Sequence, residues 1–187
     1  MKSGLEVVYS PAQLARRVAS LGRSISRDYA GRTVDVVVVL ENAFVFAADL
    51  VRHISRPVVC HFVRSEIRDV KLGGHHRREV FFSPQPHLKG RDVLLVGGVL
   101  HSGVTQDFLL KRVLESRPRS LRLAVLVDKP EDRKVDVKPD YFACAVASKH
   151  VVGYGLSGRR GWYGNLPYLG VVRAAGRRTG KRPRRAR

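Results

Sequence analysis

The chain has 187 residues and is 44% hydrophobic, which is enough for one domain with a sizeable core and excludes general disorder. Its apolar runs, such as residues 36–40, are far shorter than the roughly 20 residues that a membrane-spanning helix requires. Lys and Arg total 35 against 16 Asp and Glu, a formal charge of +19, and residues 1–172 alone hold 27 of the basic residues and all 16 acidic ones, a formal +11.

Predicted strands alternate with predicted helices along the chain. Residues 10–29 predict the first helix, because Ser10 is a suitable N-cap, Pro11 suits the first helical position, and apolar residues recur every three or four positions. The other predicted elements, in chain order, are a strand at 34–40, a helix at 43–54, strands at 57–63, 80–83 and 91–98, a helix at 105–116, and strands at 121–127, 141–146 and 151–154. The polar residues 64–78 predict a mobile loop, and residues 173–187 predict a basic disordered tail. The alternation is typical of an α/β fold with a central, mostly parallel sheet flanked by helices.

The two cysteines and the N-terminus indicate a cellular compartment. Cys60 and Cys144 have no short spacing between them, so they fit neither a disulfide framework nor a zinc site. Residues 1–10 lack the charged start and apolar stretch of a signal peptide. We therefore expect a cytoplasmic protein.

A candidate phosphate site follows the strand at 91–98. Small residues end the strand, and Ser102, Gly103 and Thr105 follow at the start of a helix. Backbone N–H groups at a helix N-terminus and two hydroxyl groups can all donate to one phosphate. The same spacing also fits an ordinary glycine-rich turn between a strand and a helix, so the residues alone leave both interpretations open.

Seven segments carry a resemblance to a known family. They are residues 8–18, 26–31, 44–50, 90–96, 126–130, 151–156 and 165–168. In this order they resemble bacterial hypoxanthine-guanine phosphoribosyltransferases. The resemblance implies a type I phosphoribosyltransferase fold over residues 1–172, with a parallel core sheet, flanking helices, a small hood and a flexible loop. It also implies the family's reaction, in which a purine base is joined to the ribose phosphate of phosphoribosyl pyrophosphate, with Mg²⁺, and pyrophosphate is released.

The resemblance assigns a nucleotide pocket to particular residues. The family's loop around the 5′-phosphate is matched by Ser102, Gly103, Val104 and Thr105. Lys129 matches the lysine that contacts the purine's exocyclic oxygen, and Val151 matches a backbone contact to the base. His150 stands where the family usually stacks an aromatic side chain on the purine. This chain therefore keeps the expected groups for binding a purine nucleotide.

Three positions depart from the family's pattern where the chemistry takes place. Gly97 and Gly98 stand where two carboxylates hold the ribose hydroxyls and help to seat the metal, and His101 stands where an aspartate takes the purine's proton. His101 is either a general base or only a polar residue above the phosphate site. Because Mg²⁺ prefers carboxylate and phosphate oxygens, we expect no metal site and no cofactor, with Mg²⁺ only in an active enzyme.

Four further departures concern pyrophosphate and the base. Glu41 and Asn42 replace a Lys-Gly pair that meets pyrophosphate, and a negative Glu41 would repel that anion. Ser157 replaces an aspartate beside the purine amino group or a second metal ion, and Gly164 replaces an arginine that meets pyrophosphate. The losses together remove metal seating, ribose anchoring and pyrophosphate binding.

These observations support two hypotheses about function. The first is a catalytically impaired homologue that retains a pocket for a 5′-phosphate and a purine, and that acts by binding nucleotides or nucleic acid. The alternative is an active purine salvage enzyme that makes IMP or GMP. The positive charge attracts phosphate-rich partners such as RNA or DNA, or it reflects a proteome that favours Arg. We expect no membrane association and a homo-oligomer, either a dimer or a tetramer.

Overall fold

The computed structural model describes residues 5–72, 75–83, 86–147, 150–158 and 161–172. Its strands are β1 (Leu5–Tyr9), β2 (Val34–Leu40), β3 (Val58–Leu72), β4 (His75–Ser83), β5 (Asp92–Leu100), β6 (Ser120–Asp128), β7 (Tyr141–Ala145), β8 (Val151–Val152) and β9 (Leu169–Val172). Its helices are α1 (Pro11–Asp28), α2 (Phe44–Arg52), α3 (Val104–Leu114) and a short 3-10 turn at Pro130–Asp132. The predicted tail at residues 173–187 lies outside the described residues, so the division of the chain at residue 172 stays a prediction.

The main sheet has the strand order β4-β3-β2-β5-β6-β7, in which the five strands from β3 to β7 are parallel and β4 is antiparallel at the edge. Apolar side chains project from both faces of the sheet. Those of α1 and α2, such as Val18 and Phe46, pack on one face, and those of α3, such as Leu109, pack on the other. The predicted α/β fold with a central, mostly parallel sheet is therefore confirmed.

A second, smaller sheet forms the expected hood. Its order is β1-β9-β8 with antiparallel pairing, so that Leu5 lies opposite Val172 and Val151 opposite Val171. The sequence predicted a strand only near β8. Both β1 and β9 are short, and β1 is mostly exposed, so neither has the continuous apolar run that marks a buried strand. They become strands only by pairing across almost the whole length of the chain.

Helix α1 begins as the sequence predicts. The Ser10 hydroxyl accepts a hydrogen bond from the Gln13 N–H at 3.3 Å, and the Gln13 side chain accepts one from the Ser10 N–H at 2.8 Å. This reciprocal capping satisfies two N–H groups that the first turn leaves without helical partners. At 18 residues α1 is the longest helix in the described part of the chain, and no helix there has the length and apolar character to span a bilayer.

The prediction of a loop at residues 64–78 is wrong. Strand β3 continues to Leu72 and pairs with β4 from the Arg64–Ser83 pair to the Leu72–His75 pair. An antiparallel hairpin satisfies its own backbone hydrogen bonds, so it forms here without the apolar pattern by which a strand is recognised in a sequence.

Candidate functional site

The candidate site lies at the carboxyl edge of the parallel strands, where ligands of such sheets bind. Strands β2, β5 and β6 end there at Leu40, Leu100 and Asp128. A cavity of about 180 Å³ opens between β2, β5 and α3. Its lining includes Asn42, Gly97, Gly98, Thr105 and Gln106. The structure therefore brings four of the predicted site positions, two glycines, an asparagine and a threonine, around one space.

The loop between β5 and α3 has the geometry of an anion cradle. Gly103 is the N-cap of α3 and has φ +82°, a conformation that favours glycine. A Cβ at Gly103 would lie 2.9 Å from Val135 Cγ2, so the neighbouring segment also excludes a side chain. The N–H groups of the first turn have no helical partners, and the Ser102 hydroxyl forms only a long 3.5 Å hydrogen bond with the Val104 N–H. N–H groups and a hydroxyl at a helix N-terminus favour a negatively charged partner.

Arg133 holds this loop in place. Its Nη1 donates to the Leu100 carbonyl at 2.8 Å and to the His101 carbonyl at 2.6 Å, and its Nη2 pairs with the Asp128 carboxylate. The Lys134 N–H donates to the Ser102 carbonyl at 2.9 Å. Sequence reasoning missed Arg133 because it lies more than 30 residues from the loop in a segment that reads as ordinary polar linker.

Lys129 is buried, with only 4% of its surface exposed. Its backbone N–H donates to the Leu100 carbonyl at 3.0 Å, which places the start of this segment beside the phosphate loop. Burial lowers the pKa of the Lys129 ammonium, and the Asp132 carboxylate opposes that shift. Lysine side chains are seldom this deeply buried, so Lys129 differs from an ordinary solvated surface lysine.

His101 is paired with an acidic side chain. Its Nε2 lies 3.0 Å from Asp132 Oδ2, and the two side chains are 53% and 28% exposed. A carboxylate at this distance can accept a hydrogen bond from the imidazole and so orients the ring. Asp132 was also missed from the sequence, because the 3-10 turn that carries it, Pro130–Asp132, was read as loop.

The two glycines that replace carboxylates differ in the space around them. A Cβ at Gly97 would meet only Val125 Cγ1, at 3.6 Å. A Cβ at Gly98 would lie 2.9 Å from the Asn42 carbonyl oxygen and 3.0 Å from Leu156 Cδ2. Both glycines line the cavity, but a side chain would be crowded at Gly98 and would have space at Gly97.

The remaining departures from the family pattern fall in two places. Glu41 is exposed, and its Oε1 lies 2.7 Å from Arg64 Nη2, so its charge is balanced within the chain. Ser157 and Gly164 are neighbours, since a Cβ at Gly164 would lie 2.9 Å from Ser157 Oγ. The sequence separated these two positions by seven residues, and the fold brings them into contact.

The predicted base-binding residues lie in and beside the hood. Val151 begins β8, and the exposed His150 precedes it, with its carbonyl accepting from the Val172 N–H at 3.3 Å. Strand β7, which precedes this segment, lies next to β6, which precedes Lys129. The two parts of the expected purine wall thus follow neighbouring strands.

The described residues do not fit a Mg²⁺ site. The positions that would supply paired carboxylates, Gly97 and Gly98, offer no side-chain oxygen, and the carboxylate of Asp128 is taken by Arg133. Within the described ranges, no group of three or more His, Cys, Asp or Glu residues is placed to hold a metal ion. The site as it stands suits an anion better than a divalent cation.

A larger cavity, of about 560 Å³, lies between α1, α2 and the segment that leads to β9. Asp49, Arg52 and Tyr154 supply polar groups to it, and the Tyr154 hydroxyl donates to the Asp49 carboxylate. It contains no residue of the phosphate loop, so its size does not make it the functional site.

Comparison with known proteins gives a consistent result. The family model described as "Phosphoribosyl transferase domain" matches residues 6–157. The chain is 32% identical to the hypoxanthine-guanine phosphoribosyltransferase of Lactococcus lactis over 170 residues, 90% of this chain and 91% of that protein. It is 30% identical to the Bacillus subtilis enzyme of the same name over 94% of this chain and 97% of that protein. A solved hypoxanthine-guanine phosphoribosyltransferase from Bacillus anthracis superposes with a TM-score of 0.78 at 32% identity, covering 89% of this chain and 97% of that one.

Proposed function

This chain belongs to the phosphoribosyltransferase family as a hypoxanthine-guanine phosphoribosyltransferase-like protein, and we propose that it binds a purine nucleotide while its transferase chemistry is impaired. One observation carries the proposal. An anion cradle at the start of α3 stands beside a strand end, at Gly97 and Gly98, that has lost its acidic side chains. The chain therefore keeps groups that bind a nucleotide and lacks the carboxylates that the transfer reaction would use.

The 5′-phosphate of the nucleotide binds to the loop after β5. The N–H groups at Gly103, Val104 and Thr105 and the hydroxyls of Ser102 and Thr105 all donate to the 5′-phosphate. Helix α3, with 11 residues, is long enough for its dipole to favour negative charge at this end. No metal is needed for this contact.

The purine base of the nucleotide contacts Lys129, His150 and Val151. An ammonium group has donors only, so Lys129 pairs with a purine that offers a carbonyl oxygen. Hypoxanthine and guanine have that oxygen at the six position, whereas adenine has an amino group there. His150 stacks on the ring, and the Val151 backbone contacts its edge. The site thus favours IMP and GMP over AMP.

The impaired chemistry follows from charge. Stabilising the developing charge on a leaving group is often the largest contribution to catalysis. Gly97 and Gly98 offer nothing to seat a cation there, and Glu41 is an acid where pyrophosphate would lie. Arg64 balances the charge of Glu41, but the Glu41 carboxylate still offers no hydrogen-bond donor to pyrophosphate.

We predict nucleotide binding that does not depend on Mg²⁺. Titration calorimetry with IMP, GMP and AMP should give each nucleotide the same affinity in a buffer with about 5 mM EDTA and in a buffer with Mg²⁺. IMP and GMP should bind about tenfold more tightly than AMP, a difference of about 1.4 kcal/mol. Lys129→Met should remove that preference, whereas Lys138→Met, at an exposed lysine outside the site, should keep it. Absence of binding at millimolar nucleotide, or binding only with Mg²⁺, contradicts the proposal.

The alternative is an active purine salvage transferase. It is favoured by 30 to 32% identity to hypoxanthine-guanine phosphoribosyltransferases over at least 90% of the chain. An assay with hypoxanthine or guanine, phosphoribosyl pyrophosphate and Mg²⁺ separates the two proposals. Turnover that requires the metal replaces the impaired reading with the active one, in which His101, oriented by Asp132, holds the general-base position.

The charge of the chain supports a second partner, RNA or DNA. We propose that a basic body of residues 1–172 and a basic tail at 173–187 both contribute, since 8 of the 35 basic residues lie in the tail. Affinity for a single-stranded oligonucleotide, measured by fluorescence anisotropy, should fall linearly on a log–log plot against salt. A chain that ends at residue 172 should show a shallower slope. An affinity that does not change with salt contradicts this proposal.

Self-association, as a dimer or a tetramer, remains a proposal as well. Phe44 and Phe62 are both 54% exposed, and large apolar side chains of this kind are common where two proteins meet.

A further inference from the structure

A basic groove lies at the opposite edge of the main sheet from the candidate site. Helix α1 ends before β2 begins and α2 ends before β3 begins, so both helix ends lie at the amino edge of these strands. A seven-residue strand such as β2 separates the two edges by roughly 20 Å. The groove has a volume of about 510 Å³, and we call it the Arg56 groove. Its polar lining includes Arg23, Arg27, His53, Ser55 and Arg56.

The walls of the Arg56 groove are fixed against each other. A Cβ at Gly22 would lie 2.4 Å from His53 Cβ and 2.6 Å from the His53 carbonyl oxygen, so α1 and the turn after α2 touch where α1 has no side chain. The buried Ser26 hydroxyl donates to the Gly22 carbonyl at 2.7 Å and accepts from the Ser55 N–H at 2.9 Å. The turn that carries Arg56 is therefore held in one position beside α1.

Two of the three arginines that line this groove, Arg23 and Arg56, form no ion pair within the part of the chain that the structure describes. Arg56 Nε is buried and has no hydrogen-bond acceptor there, and Arg23 has no ion pair there. Arg27 donates to the Ser24 hydroxyl at 3.0 Å, and its charge also lowers the pKa of the adjacent Asp28, although the Tyr141 hydroxyl and Arg122 contribute more. None of the described residues that line the groove is acidic. The groove is therefore lined by guanidinium groups whose charge the described residues leave mostly unbalanced.

We propose that the Arg56 groove binds a phosphate group. Guanidinium groups match the oxygens of phosphate in a bidentate fashion, and several of them around one space favour an anion with more than one negative charge. The volume of the groove is within the range of small-ligand pockets, so it has room for a phosphate group. This site shares no residue with the phosphate loop and does not depend on the function proposed for that loop.

The direct test follows the Arg56 side chain. In a ¹⁵N-labelled full-length chain, the Nε–Hε resonance of Arg56, identified by its loss in Arg56→Gln, should shift and saturate as inorganic phosphate is added. Signals from the α3 loop report on the other site in the same spectra, so failure at one site is distinguished from failure at the other. No shift of the Arg56 resonance in phosphate at 50-millimolar scale overturns the proposal.

Two variants with equal loss of charge provide the second test. The double variant Arg23→Gln/Arg56→Gln should bind phosphate at this site at least tenfold more weakly. The control Arg112→Gln/Lys138→Gln removes two charges on the α3 side of the sheet and should change that affinity less than twofold. Because Arg23 is exposed, Arg23→Gln alone keeps the test valid if the double variant is unstable. Equal weakening in groove and control variants overturns the proposal.

The source of the phosphate is read from a comparison of ligands. A single-stranded oligonucleotide that binds the groove more tightly than inorganic phosphate identifies a nucleic-acid backbone, and equal binding identifies a small phosphate. Both results support the site. If neither ligand binds, the proposal is rejected.

Discussion

Replacing Arg133 by methionine should lower the free energy of unfolding by about 3 kcal/mol or more. The Arg133 and Asp128 side chains are 16% and 11% exposed, so the variant leaves a largely buried carboxylate without its cation. It also removes the donor to the carbonyls of Leu100 and His101. Methionine retains most of the apolar bulk, so the loss reports on the charge and the hydrogen bonds. Urea unfolding of the two proteins measures it.

Arg112→Met is the matched control for Arg133→Met. Arg112 pairs with Glu115 on the surface of α3, where the two side chains are 43% and 56% exposed. Exposed pairs of this kind contribute about 0.5 kcal/mol, so the control should stay close to the parent protein. A loss in Arg133→Met no larger than in Arg112→Met shows that Arg133 does not hold the loop.

The same variant tests a functional role for the Arg133 contacts. These contacts fix the backbone on the N-terminal side of Gly103, so their removal should weaken IMP binding even at temperatures where the variant is folded. Weaker binding of IMP by Arg133→Met, with unchanged binding by Arg112→Met, separates loop positioning from stability alone.

The sequence predicted the buried parts of the fold well because their signals are local. The run of β-branched residues at Val34–Leu40 is a strand with the predicted bounds, and Ser10 caps α1 through the expected side-chain contact. Strands β1 and β9 carry no such local signal, since their partners lie at the other end of the chain. Parts of β3 and β4 were predicted, at 57–63 and 80–83, but their extension through residues 64–78 was not, because an antiparallel pair satisfies its backbone hydrogen bonds without an apolar pattern.

The candidate site was predicted in part for a similar reason. Ser102–Thr105 could be found because a phosphate loop is a short contiguous pattern. Arg133 and Asp132 could not, because their roles depend on contacts across the edge of the sheet. The crowding at Gly98 was equally invisible, since it is caused by Asn42 and Leu156 from two distant segments.

The same substitution at the adjacent glycines of β5 should destabilise the protein at Gly98 and leave its stability almost unchanged at Gly97. Gly98→Ala places a methyl group 2.9 Å from the backbone oxygen of Asn42, and such overpacking costs about 2 kcal/mol. Gly97→Ala meets only Val125 Cγ1 at 3.6 Å and should change stability by less than about 0.5 kcal/mol. Because both residues belong to the same strand, the difference between the variants isolates the close approach of Asn42 and Leu156.

Substituting each glycine by aspartate should enlarge the difference in stability between the two positions. The result also shows how many carboxylates this strand end can hold. Gly98→Asp adds a buried carboxylate to the overpacking and should cost about 3 kcal/mol or more, whereas Gly97→Asp turns its carboxylate toward the 180 Å³ cavity and should cost about 1 kcal/mol. Urea unfolding of the four variants measures the series. If Gly98→Asp is as stable as Gly97→Asp, the crowding is relieved by a small movement of Asn42. If it is not, one carboxylate can return to this strand end and the second cannot, so a metal-dependent transferase would also require a different path for the chain at residues 41–42.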